Sequence, residues 1–135
     1  MNIRSLGYVG IRAEDPREWV ALSDRLLGLQ VASATPDQVL FRMDQRRQRI
    51  TVVRGEGGGI AFLGWELADA SALGELRTAL DAAGVAWTPG STALAQQRGV
   101  TELICFADPD GNRLEAYRGA LDADTPFVPA RTISG

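Results

Sequence analysis

The sequence predicts an α+β fold made of two βαβββ modules side by side, with one helix laid across each small antiparallel sheet. Three observations predict it: one strand–helix–strand grammar occurs twice, the apolar period switches from two to near four at matching places, and a glycine closes each helical stripe. Of the 135 residues, 45% are hydrophobic and 23% charged, enough apolar material for a core without a disulfide or metal.

In the first half Val9, Ile11 and Ala13 alternate with Tyr8, Gly10 and Arg12, the period of a strand. Asp15-Pro16-Arg17-Glu18 reads as a helix start, with Asp15 as cap, Pro16 at the first helical position and Glu18 completing a capping box. Trp19, Leu22, Leu26 and Leu27 share a helical face, Gly28 caps its end, and the chain re-extends over Leu29 to Ala32. Strands are expected over Val39 to Met43 and Arg49 to Val53.

The second half repeats the order. Ala61, Leu63, Trp65 and Leu67 alternate; Asp69 or Ser71 can cap a helix striped by Leu73, Leu76, Leu80 and Ala83; Gly84 stops it, and Val85 to Trp87 re-extends. Ser91 to Gly99 holds a short helical turn around Leu94 and Arg98. Strands follow over Thr101 to Phe106 and Arg113 to Tyr117, joined by the β-turn Asp108-Pro109-Asp110-Gly111. That turn is a poor match to a calcium loop, because its glycine comes too early and the twelfth position is Gly119. Gly57-Gly58-Gly59 links the halves. The expected organisation is therefore a first module over residues 1–57, a second over 58–120, and a tail or linker over 121–135.

With helices on one side, the opposite sheet faces are expected to line a shared concave cleft. Alternation points Leu6, Tyr8, Gly10 and Arg12 into it, with Ile60, Phe62, Gly64 and Glu66, and with Arg113, Glu115 and Tyr117. Val9 and Ile11 point to the helix, and Trp19 and Trp65 sit on core faces.

Much chemistry is excluded by composition. There is no histidine, so no imidazole ligand, triad or general base is available within the chain. All 14 basic residues are arginine, which removes Schiff-base and P-loop lysines. The single cysteine, Cys105, excludes an intrachain disulfide; between Ile104 and Phe106 it reads as an inert core residue. A net charge of −3 argues against nucleic-acid binding, and no segment reads as a signal peptide or membrane span. A cytoplasmic protein is expected. Arg42, Arg46, Arg47, Arg49 and Arg54 read as a solvated hairpin balanced by Asp37, Asp44 and Glu56.

The repeated module and the run Asp108-Pro109-Asp110-Gly111-Asn112-Arg113-Leu114-Glu115 resemble the vicinal oxygen chelate superfamily, which includes glyoxalase I, bleomycin-resistance proteins and type I extradiol dioxygenases. Ile3-Arg4-Ser5-Leu6-Gly7-Tyr8, Leu40-Phe41-Arg42-Met43-Asp44 and Phe106-Ala107-Asp108-Pro109 resemble the N-terminal, non-catalytic half of the dioxygenases that open 2,3-dihydroxybiphenyl and related catechols. The resemblance runs from about Ile3 to Val128.

It implies a role in aromatic catabolism as a metal-free structural domain. The implied partners are a catalytic C-terminal domain carrying Fe(II) on two histidines and a glutamate, or a homo-oligomer. By the same resemblance Tyr8 and Phe62 stand at the histidine positions, Glu115 at the carboxylate position, and Cys105 where the active half carries a tyrosine. No catalytic or metal-ligating residue is assigned to this chain, and Fe(II) belongs only to the family's second domain. Glu115 is expected to be paired with an arginine such as Arg12 or Arg113, because an unpaired buried carboxylate is costly. Tyr8 and Phe62 fill the cleft as core or stack a small aromatic ligand. An alternative is a stand-alone small-molecule binder of the bleomycin-resistance kind, with Tyr8, Phe62, Glu66 and Glu115 as its ligand-binding residues. A weaker third is an enzyme using only Glu115, Glu66 and arginines on a divalent cation such as Mg²⁺.

Overall fold

A computed structural model describes residues 3–23, 27–46, 48–123, 126 and 128. Its elements run β1 (Ile3–Ala13), α1 (Glu18–Leu22), β2 (Gln30–Ala34), β3 (Gln38–Arg42), β4 (Ile50–Arg54), β5 (Ile60–Leu67), α2 (Ala70–Ala82), β6 (Trp87–Pro89), α3 (Thr92–Arg98), β7 (Val100–Ala107) and β8 (Arg113–Ala120). This is the expected strand–helix–three-strand order twice over, with α3 added in the second pass.

The residues form two compact units. One comprises Tyr8–Ala61 with Asp122–Gly135, the other Met1–Gly7 with Phe62–Leu121. These groupings cut across the sequence segments 1–57, 58–120 and 121–135, since each unit takes in a terminal stretch.

In the unit built on Tyr8–Ala61 the strand order is β2-β3-β4-β1. The β2–β3 and β3–β4 pairs are antiparallel, while β1 and β4 run parallel with Val9 opposite Ile50. The core joins Leu29, Val39, Phe41 and Val52, with Ala13, Trp19, Val20 and Ile50 packed against it. The first helix departs from expectation. Asp15 does not cap it: its carboxylate accepts the Arg17 N–H at 3.1 Å, a turn two residues long, and the helix begins only at Glu18. Leu27, expected on the buried stripe, is exposed, and Leu26 lies outside the described residues. Gly28 does close the segment, with φ +69° and its N–H on the Ser23 carbonyl at 2.9 Å.

The arginine-rich hairpin is also less solvated than expected. Arg49 pairs with Asp44 at 2.8 Å and Arg54 with Asp37 at 3.4 Å. Arg42, however, is 2% exposed and donates to the carbonyls of Asp44 and Pro126. Pro126 belongs to the returning terminal stretch, which also places Asp122 on Arg46, the Ala123 N–H on the Gln45 carbonyl, and the Val128 N–H on Gln30. Arg47 lies outside the described residues.

In the other unit the order is β5-β8-β7-β6. β5 and β8 are parallel, with Gly64 opposite Glu115; β7 pairs antiparallel with both β8 and β6. Asp69 caps α2 by accepting the Ala72 N–H at 2.9 Å. The helix buries Leu73, Leu76 and Leu80 against Leu67, Ile104 and Ala116, each such side chain contributing about 1.5–3 kcal/mol. Ala83 is exposed rather than part of the stripe. Gly84 follows at φ +71°, and the Val85 N–H reaches back to the Leu80 carbonyl.

Across the outer part of this unit Glu102 accepts from Arg77 and, at 2.9 Å, from Arg118. Hydrogen bonds from Arg77 first, then Arg118, hold its carboxyl below the ordinary 4.5. Because the folded value is depressed, this stabilisation is complete above pH 4.5 and is lost as pH falls through the folded value. Solvent screening limits it to about 0.5–1 kcal/mol. Thermal melts of wild type and Glu102→Gln should therefore converge as pH drops from 6 towards 3; a constant gap across that range would remove the pair from the account.

Candidate functional site

The inward-facing side chains predicted from alternation are mostly buried. Tyr8, Phe62, Glu66, Glu115 and Tyr117 all lie below one-tenth exposure. Leu6 and Ile60, expected among them, are exposed instead, because the first four residues of β1 and the first of β5 lie outside the packed part of their strands. Tyr8 belongs to the unit of Tyr8–Ala61, whereas Phe62, Glu66, Glu115 and Tyr117 belong to the other.

In that second unit Glu115 is fully buried at the middle of a charged cluster. Its carboxylate accepts from Arg98 Nε at 2.8 Å and Nη2 at 3.1 Å, one oxygen each, and from Arg113 Nε at 2.9 Å. The strand places Arg113 two residues away on the same face of β8, so this partner follows from alternation. Arg98 comes from the last turn of α3 and was not expected. Arg12, the other partner considered, instead donates to the Ile60 carbonyl at 2.9 Å. The Arg98 guanidinium also lies over the Phe62 ring, 3.7 Å from its centre. Phe62 and Glu115 are thus brought together through a cation that the chain itself supplies.

Arg113 extends the cluster to Cys105, donating to Sγ at 3.3 Å. Burial pushes the Cys105 thiol up despite the nearby Arg113, which leaves it protonated and unreactive at neutral pH. Cys105 and Arg113 border an open concavity of about 350 Å³ with Trp87 and Phe106.

Glu66 accepts from the Tyr117 hydroxyl at 3.4 Å and lies 3.9 Å from Arg4. The two acids considered for Mg²⁺ therefore each face partners of their own. The Asp108 carboxylate is engaged by its own turn, accepting from the Asp110 and Asn112 N–H groups.

The three residues at the positions that the resemblance gives to iron ligands do not fit Fe(II). Tyr8 and Phe62 replace imidazoles, the Phe62 ring offers a metal no lone pair, and both Glu115 oxygens already accept from guanidinium groups. Among the described residues no three His, Cys, Asp or Glu side chains converge. Nor, among them, is any helix long and apolar enough to cross a membrane.

Solved structures carry the same architecture. A crystal structure of catechol 2,3-dioxygenase superposes on the whole chain with a TM-score of 0.93 at 30% identity, the chain covering 48% of it. A halotolerant catechol dioxygenase, BphC, matches 98% of the chain at 0.91 and 33%, with 45% of its own length covered. The fold is that of the extradiol dioxygenases, the vicinal oxygen chelate arrangement. Residues 6–55 match the family described as dihydroxybiphenyl dioxygenase BphC D1. Biphenyl-2,3-diol 1,2-dioxygenase of Paraburkholderia xenovorans (strain LB400) is 46% identical over 136 residues, across 100% of this chain and 46% of the relative. An iron-dependent extradiol dioxygenase of Rhodococcus jostii (strain RHA1) is 42% identical over 89% of the chain and 40% of its own length.

Over residues 6–55 the chain matches the D1 domain of extradiol dioxygenases, and over its whole length it is similar to proteins of that kind. It spans about half the length of the relatives it matches. These matches do not favour the stand-alone, bleomycin-resistance-like binder.

Proposed function

We propose that the chain is the N-terminal, non-catalytic domain of a cytoplasmic extradiol ring-cleaving dioxygenase acting on catechols of the 2,3-dihydroxybiphenyl type. In this reading it packs against the iron-bearing domain and supports the oligomer, and it holds no iron of its own. The observation that carries the reading is the saturation of Glu115: the one carboxylate at a ligand position is spent on Arg98 and Arg113. Such a domain contributes rigidity and surface, while the redox chemistry needs three convergent donors and open coordination positions elsewhere.

The test is a colour assay with 2,3-dihydroxybiphenyl, oxygen and added Fe(II). The purified chain should give no yellow ring-opened product, and adding a separately expressed iron-bearing domain of a close relative should restore turnover and slow that domain's inactivation. Robust product from the chain alone would overturn the reading.

A further inference from the structure

We infer that Phe62 and Glu115 form an intramolecular receptor for a guanidinium ion, filled by Arg98, at the place where the resemblance puts a metal cation. The geometry matches the shape of the group. Guanidinium is planar, with N–H donors in a fixed fork, and here Nε and Nη2 reach separate oxygens of Glu115 while the flat face lies on the Phe62 ring. The Arg98 side chain is 10% exposed and the carboxylate fully buried, so the pair is shielded from water and salt. A hard divalent cation would find one carboxylate and an apolar ring where it needs six or more oxygens.

The receptor also explains how α3 is fastened. This seven-residue helix is capped by the Ser91 hydroxyl and by Gly99 at φ +68°, yet only Ala95 is buried. With Leu94 half-buried in addition, so small an apolar area holds a helix weakly. Arg98, from the last turn, ties the helix to β8 through Glu115 and to β5 through Phe62. Both fasteners are charge-dependent, and neither requires anything beyond this chain.

Chemical rescue tests the idea. Arg98→Ala in the full chain should lower the melting temperature by about 10 °C or more. Ethylguanidinium at about 10 mM should then recover at least half of the loss, by binding the vacated receptor in the folded state only. It should leave wild type, whose receptor is filled, and Arg98→Ala/Glu115→Gln unrescued. Mn²⁺ at the same concentration should recover nothing, and Arg98→Lys, which keeps charge without the planar fork, should still lose more than half as much as the alanine variant. Rescue by Mn²⁺ equal to that by ethylguanidinium, rescue that persists in the double variant, or no rescue by ethylguanidinium would overturn the inference. If Arg98→Ala does not fold, its refolding yield with and without ethylguanidinium decides: recovery only with the cation supports the receptor, and equal failure refutes it.

Discussion

Glu115→Ala is expected to destabilise the chain by about 3–5 kcal/mol, the scale found when one partner of a buried ion pair is removed. The loss arises chiefly from what remains. Arg113 is 44% exposed and can turn its charge to water, but Arg98, at 10%, would be left buried beside Phe62 without its counter-ion. Removing Arg113 should accordingly cost less, about 1–2 kcal/mol. Glu115→Gln keeps an acceptor and the volume but not the charge, and should fall between the two. Urea unfolding of the three variants measures the order. A Glu115→Ala variant within about 1 kcal/mol of wild type would mean that the cluster contributes little beyond packing.

Gly7→Ala is the second large effect, about 3 kcal/mol, at the upper end of ordinary overpacking. A methyl group on Gly7 would fall inside the Tyr117 hydroxyl, with Cζ at 2.6 Å and Cε1 at 2.8 Å. Tyr117 is 1% exposed and stands on β8 with its hydroxyl towards Glu66, so a rigid ring would have to move. The glycine is needed for space: its φ is not in the left-handed region. Tyr117→Phe removes the nearest atom but leaves Cζ, and the double variant should be less destabilised than the sum of the singles. Simple additivity in calorimetric melts would show that the two residues do not meet.

How much of this could be read beforehand follows the range of the forces involved. The α2 segment is legible apart from Ala83, because Asp69, the Leu73/Leu76/Leu80 stripe and Gly84 act within a few residues of one another. The start of α1 departs from its sequence pattern for an equally local reason. Asp15 has two backbone uses open to it, and the turn onto Arg17 wins over the cap. Arg113 could be assigned to Glu115 from strand alternation. Arg98 could not, since it lies 17 residues away on a helix, and sequence period says nothing about where a helix docks on a sheet. Arg42 reads in the sequence as one more solvated charge, yet it donates to the carbonyl of Pro126, 84 residues on.

The zero histidine count excluded imidazole chemistry at once. What it could not show is that the buried Glu115 carboxylate is paired with two guanidinium groups of the same chain, one of them 17 residues away. The hydropathy pattern marked Phe62 as inward-facing, and its role as a floor for Arg98 appears only with three-dimensional placement.

The way the termini are shared between the units has a topological consequence. Each compact body is stitched from two distant stretches of polypeptide, so a single nick in the glycine loop at 57–59 separates neither cleanly. The fragment before the nick keeps Arg4 and Gly7, whose partners Glu66 and Tyr117 lie after it; the fragment after it keeps Asp122 and Pro126, which grip Arg46 and Arg42 before it. The pieces remain laced together from both sides.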